Sequence, residues 1–172
     1  DVDRITGEKN DFTVHLDDGR QLHARRIILA YGLRDNLPDV DGALELYGRS
    51  VFHCPDCDGP SCTGKRIGVF GWDRGAALLS LYLLTWAESV VLFTNGNELE
   101  LKKKARQVLE RYNIPIRTER IVRLRSHNDC LIAAELELAQ PLPLDALFFH
   151  LGSPLATDLA NQLGCKRDKA GD

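Results

Sequence analysis

Two cysteines three residues apart, in Cys54-Pro55-Asp56-Cys57-Asp58-Gly59, form the stretch of this chain best suited to chemistry. If Cys54 opens a helical turn, its sulfur and that of Cys57 face each other and can close a small ring. A helix N-terminus also favours thiolate and lowers the pKa of an exposed cysteine. Such a pair can cycle between dithiol and disulfide, exchanging with a substrate through a mixed disulfide. Asp58, beside the second sulfur, can give a proton to a leaving thiolate or accept one later. Two blander readings use the same residues. His53 and Cys62 are close enough in sequence to complete a Cys3His zinc knuckle, although no second C-x-x-C or His pair gives a familiar spacing. The two thiols could instead be structural and inert. Cys62, Cys130 and Cys165 show no partner pattern and read as free thiols.

A second candidate follows an apolar run, in Val69-Phe70-Gly71-Trp72-Asp73-Arg74-Gly75-Ala76. A dinucleotide loop wants Gly at its first turn, Gly where the pyrophosphate approaches, and a small third residue for helix packing. Gly71 fits the first position and Ala76 the last. Asp73 stands in the middle, where its carboxylate would face the phosphates and its Cβ would block their approach. A register using Gly71 and Gly75 matches no better, and Arg74 could compensate with a bidentate phosphate contact. Trp72 reads equally as a stacking group and as a local plug. At the next strand end, where NAD sites carry an acid and NADP sites an Arg, this chain has Thr94-Asn95-Gly96. The loop is therefore either an altered nucleotide site or a scaffold with little nucleotide affinity. His150, at a later strand end, is read as a structural histidine ahead of a cofactor neighbour. His15 and His23 are read as solvated, and Lys102-Lys103-Lys104 as the wet face of a helix.

The elements that must position these residues follow from periodicity. Phe12, Val14 and Leu16 alternate with polar residues, and Asp17-Asp18-Gly19 supplies a hairpin turn. Ile27-Ile28-Leu29-Ala30 is apolar on both faces, as a central strand would be. Residues 33 to 50 read as loop. Then Ile67–Phe70 is a strand, Gly75–Trp86 a helix apolar on most sides, and Val90–Phe93 a strand. Asn97 and Glu100 resemble a capping box before a helix carrying Leu101, Ala105, Val108, Leu109 and Tyr112. Ile114-Pro115-Ile116 opens a third strand, so the middle of the chain is a βαβαβ unit of Rossmann-like, parallel-sheet type. Residues 119 to 140 read as an antiparallel addition, Ala146–Phe149 as a buried strand, and Ala156–Leu163 as a short helix. Asp168 to Asp172 run out without a closing element.

Composition narrows the class. The 172 residues are 44% hydrophobic and 27% charged, values of an ordinary globular chain and not of a disordered or collagen-like one. No apolar run approaches the ~20 residues of a membrane span. A net charge of −3 with scattered Lys and Arg argues against nucleic-acid binding. Five cysteines, an odd and sparse set, are no secreted disulfide framework, so a cytoplasmic, reducing setting is expected. The absence of Met marks a trimmed product, an excised domain or a chain missing its beginning.

These residues carry a resemblance. His53-Cys54-Pro55-Asp56-Cys57-Asp58-Gly59, about a dozen residues before a Rossmann-like strand, is similar to the low-molecular-weight thioredoxin reductase family. That family comprises FAD-dependent pyridine nucleotide-disulfide oxidoreductases and related flavin-dependent dithiol oxidases. Ile28-Leu29-Ala30-Tyr31-Gly32 resembles its Ala-Thr-Gly segment beside the flavin, with Tyr31 in place of Thr. Leu147–Gly152 with Pro154 resembles its returning strand into the FAD domain. The family's basic His-Arg-Arg cluster is absent.

The resemblance implies an α/β architecture in three parts. Residues 1–48 and 141–172 would be partial FAD-domain segments, and 49–140 an NAD(P)-binding-like domain carrying the C-x-x-C. It further implies that Cys57 faces the flavin, Cys54 attacks the substrate disulfide, and Asp58 is the general acid and base. Ala30, Tyr31 and Gly32 would lie by the FAD, and Gly71 to Ala76 with Thr94 by NADPH or NADH. Implied partners are a thioredoxin-like protein or a small dithiol or disulfide, and a second copy in a homodimer. Alternatives kept open are a flavin- and oxygen-dependent dithiol oxidase, a ferredoxin-linked relative, and a non-catalytic redox-sensing or nucleotide-binding module. This chain alone is expected not to retain FAD, since the family's first Gly-rich βαβ unit would lie upstream.

Overall fold

The computed structural model describes residues 1–99 and 101–166. The chain divides into two compact units, Asp1–Arg34 with the residues from Ser153 onward, and Asp35–Gly152. The first unit opens with three antiparallel strands in the order β1 (Val2–Glu8), β2 (Asp11–Leu16) and β3 (Gln21–Ala24). The expected turn joins β2 to β3: Gly19 has φ +84°, and Asp18 Oδ1 accepts the Arg20 N–H at 3.0 Å.

Ile27–Ala30 forms no strand, and Ile28 is 92% exposed. A strand apolar on both faces needs neighbours at its edges, and no described strand pairs with this one. The residues just after it are tied down. Arg34 N–H donates to the Pro154 carbonyl at 2.9 Å, and Ala156 N–H to the Gly32 carbonyl at 3.2 Å. Within the first unit, residues 32–34 and 154–156 therefore lie side by side.

The second unit holds a five-stranded sheet that is parallel at every pairing. Its chain order runs α1 (Ala43–Leu46), β4 (Val51–Phe52), α2 (Pro55–Asp58), β5 (Arg66–Phe70), α3 (Arg74–Leu83), β6 (Ser89–Phe93), α4 (Lys103–Arg111) and β7 (Ile116–Arg117). An antiparallel trio follows, β8 (Ile121–His127), β9 (Cys130–Leu136) and β10 (Leu142–Pro143), and then β11 (Ala146–Phe149). The parallel order is β4-β11-β5-β6-β7, with Leu147 opposite both Val51 and Gly68. The β5–α3–β6–α4–β7 run is the βαβαβ unit expected from periodicity.

Alternation along the strands builds two cores. Val51, Phe70, Val91, Phe93, Leu147 and Phe149 face the antiparallel sheet, meeting Ile121, Leu124, Leu131 and Leu136. Phe52, Ile67, Val69, Leu92 and Phe148 face α3 and α4, meeting Ala76, Leu79, Leu83 and Leu109.

The division between the compact units falls at 34/35 and 152/153: α1 belongs to the core facing the antiparallel sheet, and β11 is an internal strand of the parallel sheet. Two further expectations change. Residues 33 to 50 are not all loop, since they contain α1. The helix α3 is not buried on most sides: Leu78 and Tyr82 are 53% and 47% exposed on the face turned from the sheet. Glu100, the second half of the expected capping box, and Asp168 to Asp172 lie outside the described residues. In the first unit, α5 (Leu159–Gln162) packs on β1, and Gln162 Oε1 accepts the Ile5 N–H at 3.4 Å.

Candidate functional site

Cys54 leaves β4 in extended conformation and becomes the N-cap of α2, with Pro55 in the first helical position. Proline suits that position because it has no N–H to leave unsatisfied. The Cys57 N–H points at Cys54 Sγ over 3.3 Å, and the two sulfurs are joined in a disulfide with Cα atoms 5.4 Å apart. Cys57 is exposed and Cys54 half-buried. Asp58 ends the same turn, half-buried, its N–H donated to the Cys54 carbonyl at 3.1 Å. The helical turn thus delivers the ring closure that the spacing allows.

The end of α3 and the turn that follows it hold this motif in place. Gly59 is buried against Trp86, and a Cβ on it would come within 2.6 Å of the indole Cε3. Tyr82 meets Trp86 edge-on at 5.4 Å, and its hydroxyl donates to Asp56 Oδ1 at 2.6 Å. That bond to a carboxylate raises the Tyr82 pKa. Cys62 belongs to the core instead: it is fully buried, and burial pushes its thiol up. With Cys54 and Cys57 in a disulfide, no group of three or more His, Cys, Asp and Glu side chains gathers as a metal site among the described residues.

Three side chains beside the motif form a network that spacing did not reveal. Tyr47 OH donates to the Asp35 carboxylate, and His53 Nδ1 stands 3.2 Å from both Asp35 Oδ2 and Tyr47 OH. The Asp35 bond, then burial, then the charges of Asp35 and Asp58 push the Tyr47 pKa up to about 12. Phe149 of β11 packs against both rings at about 6 Å. Asp35 and Tyr47 lie in the stretch read as loop, where no periodicity marks them.

At the loop after β5, Asp73 is the N-cap of α3 and Oδ1 accepts the Ala76 N–H at 2.8 Å. The same oxygen lies 3.1 Å from His150 Nδ1. The imidazole covers Gly75, so that any side chain there would overlap the ring. Gly71 lies against Ala76, its built Cβ 2.7 Å from the alanine methyl, which is the close helix packing the loop requires. A dinucleotide pyrophosphate would sit on these helix N–H groups. Here a carboxylate already caps them, beside an imidazole. The adjoining cavity, lined by Trp72, Asp73, His150, Leu151 and Gly152, measures about 250 Å³. That is below the roughly 300–1,000 Å³ of ordinary ligand pockets. Thr94 is completely buried, its hydroxyl without a hydrogen-bond partner. The loop residues do not fit a bound pyridine nucleotide. His150, read from the sequence as a structural histidine at a strand end, reaches this loop because β11 pairs with β5.

Ala30, Tyr31 and Gly32 are in the first unit, Tyr31 half-buried and the other two exposed. Gly32 has φ +69° and open space around it.

The family model for pyridine nucleotide-disulphide oxidoreductases matches residues 1–172. The chain is 27% identical over 178 residues to thioredoxin reductase sirT of Leptosphaeria maculans, covering 96% of this chain and 54% of that protein. Among solved structures it superposes on HlmI with a TM-score of 0.90 at 34% identity, over 99% of this chain and 54% of HlmI. Thioredoxin reductase from Streptococcus pyogenes shares the fold, with a TM-score of 0.88 at 18% identity, over 98% of this chain and 57% of that one. The chain thus spans about half the length of these relatives. It belongs to the pyridine nucleotide-disulphide oxidoreductase family, among its thioredoxin reductase-like members.

Proposed function

We propose that this chain is the disulfide-bearing part of a flavin-dependent thiol–disulfide oxidoreductase, exchanging electron pairs through Cys54 and Cys57. The observation that carries the reading is the Cys54–Cys57 disulfide at the start of α2, with Asp58 in the same turn. Bound FAD would supply reversible two-electron chemistry to the pair, and Ala30, Tyr31 and Gly32 are the residues this reading assigns to it. Cys54 takes the substrate disulfide, Cys57 resolves the mixed disulfide, and Asp58 moves a proton at the sulfur facing the flavin. A thioredoxin-like protein or a small dithiol or disulfide is the partner in this reading, which also includes assembly as a homodimer and a cytoplasmic setting. Replacing Cys54 or Cys57 by Ser in the flavin-containing protein abolishes disulfide turnover if the reading holds; unchanged turnover sinks it.

A second reading concerns the direction of electron flow, and the Asp73–His150 contact favours it. With the helix N-terminus already capped, a pyridine nucleotide has no seat at the loop. The pair would then oxidise a dithiol substrate, and the two electrons would leave to dioxygen, giving hydrogen peroxide. Stoichiometric peroxide from substrate dithiol, without added NADPH or NADH, distinguishes this direction from nucleotide-driven reduction.

A further inference from the structure

We propose that His53 is the proton donor to the thiolate that leaves when Cys54 attacks a substrate disulfide, and that Asp35 and Tyr47 are its positioning residues. The inference rests on the reading above, in which Cys54 is the attacking sulfur.

His53 immediately precedes Cys54, and its side chain is about half exposed at 47%. Both polar contacts of the ring are made by Nδ1, to the Asp35 carboxylate and the Tyr47 hydroxyl, each at 3.2 Å. A carboxylate on Nδ1 fixes the tautomer and orientation of an imidazole and stabilises its protonated form. With Nδ1 held by these partners, the proton exchange with a substrate is assigned to Nε2. The carboxylate is well placed for this: Asp35 is only 17% exposed, and Tyr47 OH gives it a second donor. Phe149 closes the apolar side of the ring, and Asp58 acts on Tyr47 as a further negative charge. Among the described residues, Asp35 and Tyr47 meet the His53 ring through Nδ1, and Phe149 packs on it from β11.

The division of labour follows from the two sulfurs. Asp58 is in the turn with Cys57, whereas His53 is joined to Cys54. The proposed step starts from the reduced pair with one proton on His53, one on Cys57, and none on Cys54. Cys54 attacks one sulfur of the substrate; the Cys54–substrate S–S bond forms and the substrate S–S bond breaks. The departing thiolate takes the His53 proton. Neutral His53 then accepts the Cys57 proton, Cys57 attacks Cys54 Sγ, and the second substrate thiolate leaves with that proton. Two electrons and two protons pass from the dithiol to the disulfide.

The test uses the whole protein with Cys57, Cys130 and Cys165 replaced by Ser, which stops the reaction at the mixed disulfide and removes the two exposed free thiols. Two probes differ in what leaves. Hydroxyethyl disulfide releases a basic alkyl thiolate that needs a proton; dipyridyl disulfide releases a pyridinethione that does not. His53→Gln is expected to slow mixed-disulfide formation with the alkyl probe by about tenfold or more, within the usual range for a general acid. With the pyridyl probe the change is expected to be less than about twofold. Tyr47→Phe, which keeps the packing, shifts the ratio of the two rates in the same direction by a smaller factor. Equal slowing of both probes, or of neither, overturns the assignment to His53. Capture of both probes at undiminished rate after a further Cys54→Ser change would instead remove Cys54 as the attacking sulfur, and with it the underlying reading.

Discussion

His150 Nδ1 stands 3.1 Å from Asp73 Oδ1, and the imidazole covers Gly75 at the start of α3. One residue from the loop and one from the end of β11 thus occupy the place where a dinucleotide would meet a helix N-terminus. NADPH or NADH is therefore expected to leave the thermal unfolding midpoint unchanged. A bound nucleotide at 100 times its Kd would add about 2.7 kcal/mol, a shift that differential scanning fluorimetry resolves.

Asp73 also stabilises the fold through its capping bond to the Ala76 N–H. Asp73→Ala is expected to cost about 0.5–2 kcal/mol in urea unfolding. Asp73→Asn retains a capping oxygen and is expected to recover most of that loss.

Gly59→Ala drives a methyl into the Trp86 indole. Overpacking of this kind costs about 1–3 kcal/mol. The same variant displaces Trp86, so a change in its fluorescence accompanies the loss. Gly64 has open space around it but φ +71°, so Gly64→Ala loses stability through the backbone while leaving the indole signal alone.

The Tyr47–Asp35 bond has a spectroscopic signature. Of the four tyrosines, Tyr47 is expected to ionise at about pH 12, and Tyr82 also above its usual value, in a phenolate absorbance titration. Asp35→Asn returns the Tyr47 step towards the ordinary range. Because the folded pKa is the higher one, this tyrosine's contribution to stability is complete below pH ~10 and is lost as pH rises towards 12.

Asp145 gives the opposite sign. Its carboxylate receives the Arg66 guanidinium through two bonds, at 2.9 and 2.7 Å, and the Arg66 N–H at 2.9 Å. These hold its pKa at about 2. The depressed value means stability that is present above the ordinary carboxylate pKa of about 4 and lost as pH falls towards 2. Asp145→Asn is expected to flatten that part of the acid unfolding profile.

The parts legible in the sequence are those governed by local pattern. The alternation of Phe12, Val14 and Leu16, the runs at β5, β6 and β11, and the three-residue spacing of Cys54-x-x-Cys57 each carry their own signal. What stayed hidden depends on contacts far apart in sequence. Ile27–Ala30 has a strand's composition but no described strand to pair with. Leu78 and Tyr82 share the apolar character of the buried residues of α3, yet face outward. Asp35, Tyr47 and His53 come together only because α1 and β4 return the chain to one place. His150 reaches Gly75 because β11 lies beside β5, a pairing that the intervening antiparallel strands conceal.

That pairing also sets an order for assembly. β4 and β5 are never neighbours; β11 lies between them, and it comes almost eighty residues after β5 in the chain. During synthesis, β5 to β7 can associate early, but β4 with its cysteine motif has no partner in the parallel sheet until β11 emerges. Non-local closure of this kind slows folding. The motif at the end of β4 is thus locked into the parallel sheet late, and a chain stopped before Ala146 would leave β4 without the strand that anchors it.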